Sequence, residues 1–271
     1  MQLIKYKWDT NGVAGEPFLF ARDKGKVTKM KLFDENLNIK IGKKHCTGFT
    51  RNGRHFECPK MRVVETEKMC RECALNDDFF MCMKCTGEEC INESQRKSCQ
   101  KNNYYIYLAA FSTMLKVGIS YEHRILERLI EQGADMGAKI GMVQDGKLAR
   151  SIEQKIRSEL NICDRVTGAE KHNMLFGNPN IAAVNISNAF SKLKSNGLSQ
   201  HLINPEIYNL QSIYRLSAVK FMPQVFAAEE GSCLDGNVVA AKGNIMVVKS
   251  SAGLLSVNAH RLVGCEIEMV N

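Results

Sequence analysis

The sequence predicts an α+β protein with β structure towards both termini and a mixed α/β centre. Three observations predict it. Near the start, apolar and polar residues alternate with period two, as in Val27-Thr28-Lys29-Met30-Lys31-Leu32-Phe33 and Leu37-Asn38-Ile39-Lys40-Ile41, the pattern of half-buried antiparallel strands. Short β-type runs return at 237–239, 244–248, 254–257 and 265–270, with Ser250-Ser251-Ala252-Gly253 as a turn, which predicts a small β-barrel or sandwich. Between them, two short strands are followed by segments with helical apolar stripes.

Composition divides the 271 residues into four regions: a β-rich N-terminal region (1–44), a Cys-rich segment (45–100), a mixed domain (101–200) and a β-rich C-terminal domain (201–271). In the mixed domain, 106–111 and 115–119 read as a hairpin joined through Ser112 and Thr113. Ser120 is placed to cap a helix running to about Gln132 and ended by Gly133. On that helix Ile125, Leu126, Leu129 and Ile130 form one apolar face and Arg124 and Arg128 project from another. A later helix, about 148–160, carries a stripe at Leu148, Ile152, Ile156 and Leu160.

No apolar stretch approaches the ~20 residues of a membrane helix, and the opening MQLIKYKWDT has no apolar run of the signal-peptide kind. The expectation is a cytoplasmic protein with no membrane partner. In a reducing compartment, closely spaced cysteines read as metal ligands before disulfides.

Eight of the eleven cysteines fall between residues 46 and 99: Cys46, Cys58, Cys70, Cys73, Cys82, Cys85, Cys90 and Cys99. Two of the intervals are Cys-x-x-Cys, a turn that aims both sulfurs at one ion, and zinc takes four such ligands in a tetrahedron. Eight ligands make two closed, structural Zn2+ sites, which the polar, aliphatic-poor segment needs in order to fold. Pairing in sequence order and cross-braced pairing are both open. His45 or His55 could replace a cysteine, though each reads more simply as a surface residue, and an iron–sulfur cluster competes with zinc without matching a ferredoxin spacing. Cys163, Cys233 and Cys265 stand alone in aliphatic surroundings and are expected as buried core thiols.

The formal charge is +8, from 37 Lys and Arg against 29 Asp and Glu. With eight thiolates on two zinc ions it falls to about +4, a modest pointer to a polyanionic partner.

Tyr105-Ile106-Tyr107, Lys116-Val117-Gly118, Arg128 and Glu153, in that order, resemble the GIY-YIG nuclease superfamily. The resemblance implies that Tyr107 matches the tyrosine of the first tripeptide, Gly118 the glycine of the second, Arg128 the helix arginine and Glu153 the metal-binding glutamate. The chain departs from the pattern at Tyr105, where a glycine belongs, and at Lys116, where the second tyrosine belongs. With Leu108-Ala109 and Gln132-Gly133-Ala134 added, most of the chain is similar to an uncharacterised, largely archaeal family of the same plan.

What the resemblance implies is phosphodiester chemistry. Arg128 would neutralise phosphate charge, Glu153 would hold Mg2+ or Mn2+, and Tyr107 with Lys116 would relay a proton. The sequence-level reading is a zinc-containing nucleic-acid-binding protein, with structured RNA the favoured partner and Tyr105, Arg124 and Arg128 as binding residues. Tyr104, Tyr107 and Phe111 join Tyr105 as stacking candidates. A metal-dependent endonuclease and a zinc-stabilised module binding a protein partner are the alternatives.

Overall fold

The computed structural model describes residues 1–10, 15–163, 165–195 and 198–270. They form two compact units, Met1–Phe80 with Ile213–Asn271, and Met81–Ser212. In chain order the first unit opens with strands β1 (Gln2–Asp9), β2 (Glu16–Asp23), β3 (Lys26–Lys31), β4 (Asn36–Lys44), β5 (Phe49–Arg51) and β6 (Arg54–Phe56), then helix α1 (Arg71–Asn76). The second unit contains α2 (Glu93–Lys101), β7 (Asn103–Phe111), β8 (Met114–Tyr121), α3 (Ile125–Gln132), β9 (Met136–Gln144), α4 (Gly146–Leu160), α5 (Gly168–Asn173), α6 (Pro179–Ser195) and β10 (Leu202–Asn209). The chain then returns to the first unit with β11 (Gln224–Val225), β12 (Cys233–Lys242), β13 (Ile245–Ser250), β14 (Gly253–Asn258), α7 (Ala259–Leu262) and β15 (Cys265–Met269).

Strands from both ends of the chain share one nine-stranded sheet, ordered β11-β14-β13-β12-β4-β15-β1-β2-β3. Alternation explains β4: Leu37, Ile39 and Ile41 are buried and Lys40 is exposed. β3 differs from its expected half-buried pattern because it is the sheet's edge strand. Val27 is 51% exposed, and Lys26, Lys29 and Lys31 line the strand, a charged edge that discourages further pairing.

The sheet is strongly curled. In its order β1 lies three places from β12, about 14 Å if flat. Yet the Tyr6 hydroxyl and the Trp8 indole N–H both donate to the Gly243 carbonyl at 2.7 Å, beside the end of β12. Trp8 packs edge-to-face against Phe33 and Tyr214, both at 5.9 Å between centroids, and is fully buried.

The second unit is a four-stranded antiparallel sheet, β10-β9-β7-β8. Ile106, Leu108 and Ala110 of β7 join Val117, Ile152, Ile156, Ile186 and Leu193 in one core, so α4 and α6 cover a single face. The hairpin β7–β8 turns through Ser112, as its sequence suggests. Ser120 does not cap a helix. Strand pairing continues to Tyr104↔Tyr121, so Ser120 is a buried strand residue whose hydroxyl donates to the Tyr121 carbonyl. A 3-10 turn over Glu122–Arg124 intervenes before α3. Leu126 and Leu148 are exposed rather than part of their helices' apolar faces, while Ile125, Leu129, Ile152 and Ile156 are buried. Of the three isolated cysteines only Cys265 is a buried thiol. Cys163, in the segment after α4, and Cys233, which opens β12, are exposed. Among the described residues no helix is long and apolar enough to cross a membrane.

Candidate functional site

The thiols of Cys46, Cys58, Cys70 and Cys73 lie within 4.8 Å of one another and are buried. Backbone contacts and a helix start bring them together. The Cys46 N–H donates to the Arg62 carbonyl at 2.8 Å, the Thr47 N–H to the Lys68 carbonyl at 2.9 Å, and α1 begins directly after Cys70. Phe49, Val64 and Met69 pack around the sulfurs. Backbone N–H groups of Gly48 and Cys70 point at the Cys46 sulfur at 3.4 and 3.2 Å.

This donor set fits a tetrahedral thiophilic metal. Sulfurs about 2.3 Å from zinc stand about 3.8 Å apart, and Cys58 and Cys70 are 4.0 Å apart. Burial raises the Cys58 thiol, but backbone N–H groups of Arg62 and Lys60 overcome it and bring its pKa down to about 7. Burial pushes Cys73 and Cys46 up, and Cys73 is raised further by the neighbouring sulfurs. Four packed thiols resist joint ionisation, and a divalent metal removes that conflict. His45 is not a ligand: its Nδ1 faces the Met61 carbonyl at 2.9 Å and its Nε2 faces Glu266 at 3.4 Å. His55 sits beside Arg22, 3.5 Å from its guanidinium.

Cys82, Cys85, Cys90 and Cys99 belong to the second unit. The other three sulfurs act electrostatically on Cys82, whose thiol is raised mainly by burial. Asn92 ties the group together, donating to Cys82 at 3.3 Å and accepting from Cys90 at 3.4 Å. Its four cysteines are half-buried, and among the described residues only the first set brings its four sulfurs within 4.8 Å of one another. It packs on α4, where Gly146 is needed: a Cβ there would come within 2.7 Å of the Cys99 sulfur and 2.8 Å of the Tyr104 ring. At the same helix end, Arg96 binds both carboxylate oxygens of Asp145 at 2.5 and 2.7 Å. Asp145 caps α4 by accepting from the Lys147 N–H, with its own backbone at φ 81°.

Strand alternation puts Tyr105, Tyr107, Lys116 and Gly118 on the sheet face opposite the α4–α6 core. Tyr107 is 1% exposed. Burial pushes its phenol pKa up, against the pull of the Arg128 charge and a hydrogen bond from Arg128. Glu153 is 7% exposed, ion-paired with Arg150 at 2.6 Å, and also acts on the Tyr107 phenol. The charges of Arg128, Glu153 and Arg150 all reach the Tyr107 phenol, and Arg128 hydrogen-bonds to it. Arg128 also pairs with Glu131 at 3.5 Å while its side chain stays 43% exposed. Burial lowers its pKa, but the Tyr107 phenol and the Glu131 carboxylate beside it outweigh that and hold it above the ordinary value.

Arg124 pairs with Glu127 at 2.7 Å and shares Glu131 with Arg128, at 3.6 Å. Of the stacking candidates, Tyr104, Tyr107 and Phe111 are buried in the unit, which leaves Tyr105. Its ring lies 4.7 Å from the Lys139 ammonium, which also pairs with Glu206. Two cations that sequence reasoning passed over stand near the cluster. Arg150 was hidden in a helix rich in charge. Lys171 of α5 feels the charges of Lys116, Arg128 and Glu131, and no periodicity marked it. A cavity of about 470 Å³ in the first unit, bordered by Arg22, Lys40, Glu57 and Glu266, has mixed charge, with Arg22 bound to Glu57 at 3.2 Å.

The chain matches no curated protein. It matches no solved structure either. One family profile, described as "Protein of unknown function (DUF2797)", matches residues 34–267, which takes in both cysteine sets, the hairpin and all but the first strands of the curled sheet. The chain belongs to the DUF2797 family.

Proposed function

We propose that this protein binds nucleic acid, RNA ahead of DNA, on the face of the second unit that carries Tyr107, Lys116 and Arg128, with zinc at both four-cysteine sets holding the surrounding loops. The observation that carries this reading is Arg128, hydrogen-bonded to a buried phenol with its side chain 43% exposed. An accessible guanidinium in such a setting gains most by receiving an anion that brings hydrogen-bond acceptors, and a phosphodiester does. The ordered resemblance to GIY-YIG proteins and the excess of basic residues support the same ligand. Tyr105 offers a half-buried ring on that face for stacking a base, next to Tyr208.

The test is a titration of labelled single-stranded and hairpin RNA and DNA against salt. Affinity should fall with a log–log slope of about −0.7 per phosphate contacted on single strands, and Arg128→Gln should weaken binding about tenfold. Absence of binding at low salt refutes the reading.

A second reading, metal-dependent phosphodiester hydrolysis, is favoured by the burial of Glu153. Arg150 partners only one side of this 7% exposed carboxylate, and a metal ion would use its remaining lone pairs. Residues of this chain would then act as follows: Arg128 holds phosphate, Glu153 holds Mg2+ or Mn2+, and protonated Tyr107 orients the reacting oxygen. Cleavage by the wild type with either metal, lost in Glu153→Ala and Arg128→Ala, is the expected result. A wild type that cuts neither RNA nor DNA refutes this second reading alone.

A further inference from the structure

We propose that the sheet face opposite the α4–α6 core carries a guanine-reading site, with Tyr105 and Tyr208 as stacking rings and the Glu206 carboxylate as acceptor for the base edge. This rests on the nucleic-acid reading above and deepens it to a base preference, through residues of β9 and β10 that lie outside the resemblance.

Strand register brings the group together. Lys139 of β9 stands between Tyr107 of β7 and Glu206 of β10, so one row of side chains crosses three strands on that face. Tyr208, two residues along β10 from Glu206, shares the face, and so does Tyr105, two residues along β7 from Tyr107. β9 is bulged where Ile106 pairs with Gly141 and Tyr107 with Lys139, which returns Met142 to the same face opposite Tyr105. Met142 is exposed and gives the site an apolar rim.

The contacts within the group are direct. The Lys139 ammonium pairs with Oε2 of Glu206 at 2.5 Å and lies 4.7 Å from the Tyr105 ring centroid and 5.6 Å from that of Tyr208. The Tyr208 hydroxyl donates to Oε1 of Glu206. Each carboxylate oxygen has two acceptor positions. One on each oxygen is therefore left over, on a side chain that is 58% exposed. Hydrogen bonds from Lys139 and Tyr208 hold the carboxyl below its usual range and keep it an acceptor. Lys139 also offsets the charge that would otherwise repel a phosphate backbone.

Two adjacent acceptors select the ligand. Guanine presents two adjacent donors, N1–H and N2–H, on its Watson–Crick edge. Adenine and cytosine present one donor beside an acceptor, and uracil one donor between two acceptors. Guanine alone fills both positions while its ring stacks on a tyrosine. Such a base must be unpaired, so the site takes single-stranded or looped RNA.

The experiment is fluorescence anisotropy of the full-length, metal-loaded protein with labelled oligouridylates carrying one central guanine, adenine, cytosine or hypoxanthine. The guanine oligonucleotide should bind about tenfold more tightly than the adenine, cytosine and all-uracil ones. Hypoxanthine, which lacks the N2 amino group, should lose most of that advantage. Glu206→Gln should erase the preference and leave the affinity for all-uracil RNA unchanged. Tyr105→Ala should weaken the whole series by about tenfold, because stacking is sequence-tolerant. The base series needs only the wild type, so it holds whatever the variants do to folding. Equal binding of the series, a preference for another base, hypoxanthine bound as tightly as guanine, or a guanine preference that survives Glu206→Gln each overturns the site and leaves the nucleic-acid reading standing. Failure of the wild type to bind any of them at low salt removes both.

Discussion

Gly118 stands directly opposite Tyr107 in the β7–β8 hairpin, and a Cβ at position 118 would approach the tyrosine's Cζ and hydroxyl oxygen to 2.4 Å. The phenol therefore lies across its partner strand, where Arg128 meets it. Gly118→Ala should displace the ring, cost about 1–3 kcal/mol of stability and weaken any ligand held by Arg128. The check is a double-mutant cycle in denaturant with Tyr107→Ala. The alanine at 118 should cost much less once the ring is gone.

The buried four-cysteine set makes a prediction about metal content. Cys46→Ser or Cys58→Ser should lose one metal equivalent by elemental analysis and lower the melting temperature of the first unit. Cys82→Ser should remove a separate equivalent and leave the first in place. Loss of both metals from either variant would mean shared, cross-braced ligands.

Lys171 should show itself in the pH dependence of stability. Its folded pKa of about 7 lies below the reference value of 10.5, so the unfolded chain binds more protons between those limits. Stability from this residue therefore rises with pH across that window and is lowest at and below about pH 7. Replacing it with methionine removes the unfavourable charge. Lys171→Met should be more stable than wild type at neutral pH, with the advantage shrinking towards pH 10.5, as read from denaturant midpoints.

Arg96 and Asp145 join α2, which carries Cys99, to the start of α4, which carries Arg150 and Glu153. Arg96→Gln should cost about 1–3 kcal/mol through loss of the two-pronged, charge-assisted contact. It should also speed release of metal from the second cysteine set to a chelator, because Arg96 lies beside Cys99 and Cys90. Unchanged release would mean that α2 is held mainly by packing.

What the sequence revealed was local. Two-residue alternation identified β4, and cysteine spacing identified the group at 46, 58, 70 and 73, because ligands close in sequence need little chain to meet. The hairpin placed Tyr107 and Gly118 in register because a tight turn fixes which residues face each other. Ser120 misled because capping preference is a property of one residue, whereas the strand is extended by pairing of Tyr104 with Tyr121, whose rings lie 4.9 Å apart. Cys163 and Cys233 looked buried from their neighbours in sequence, but one follows a helix end and the other opens a strand. Lys171 was invisible for a related reason. Its setting comes from β8 and α3, and nothing in the run Glu170-Lys171-His172 records them.

The last strand, β15, is inserted between β4 and β1. During synthesis the N-terminal strands therefore leave the ribosome with a gap that only residues 265–269 can close. Residues 81–212 have all their sheet partners among themselves and can fold as soon as they emerge. The centre of the chain is expected to be finished first, while the amino-terminal strands wait with unpaired edges for the final segment. A ribosome stalled shortly before that point would display a folded core between two incomplete halves of one sheet.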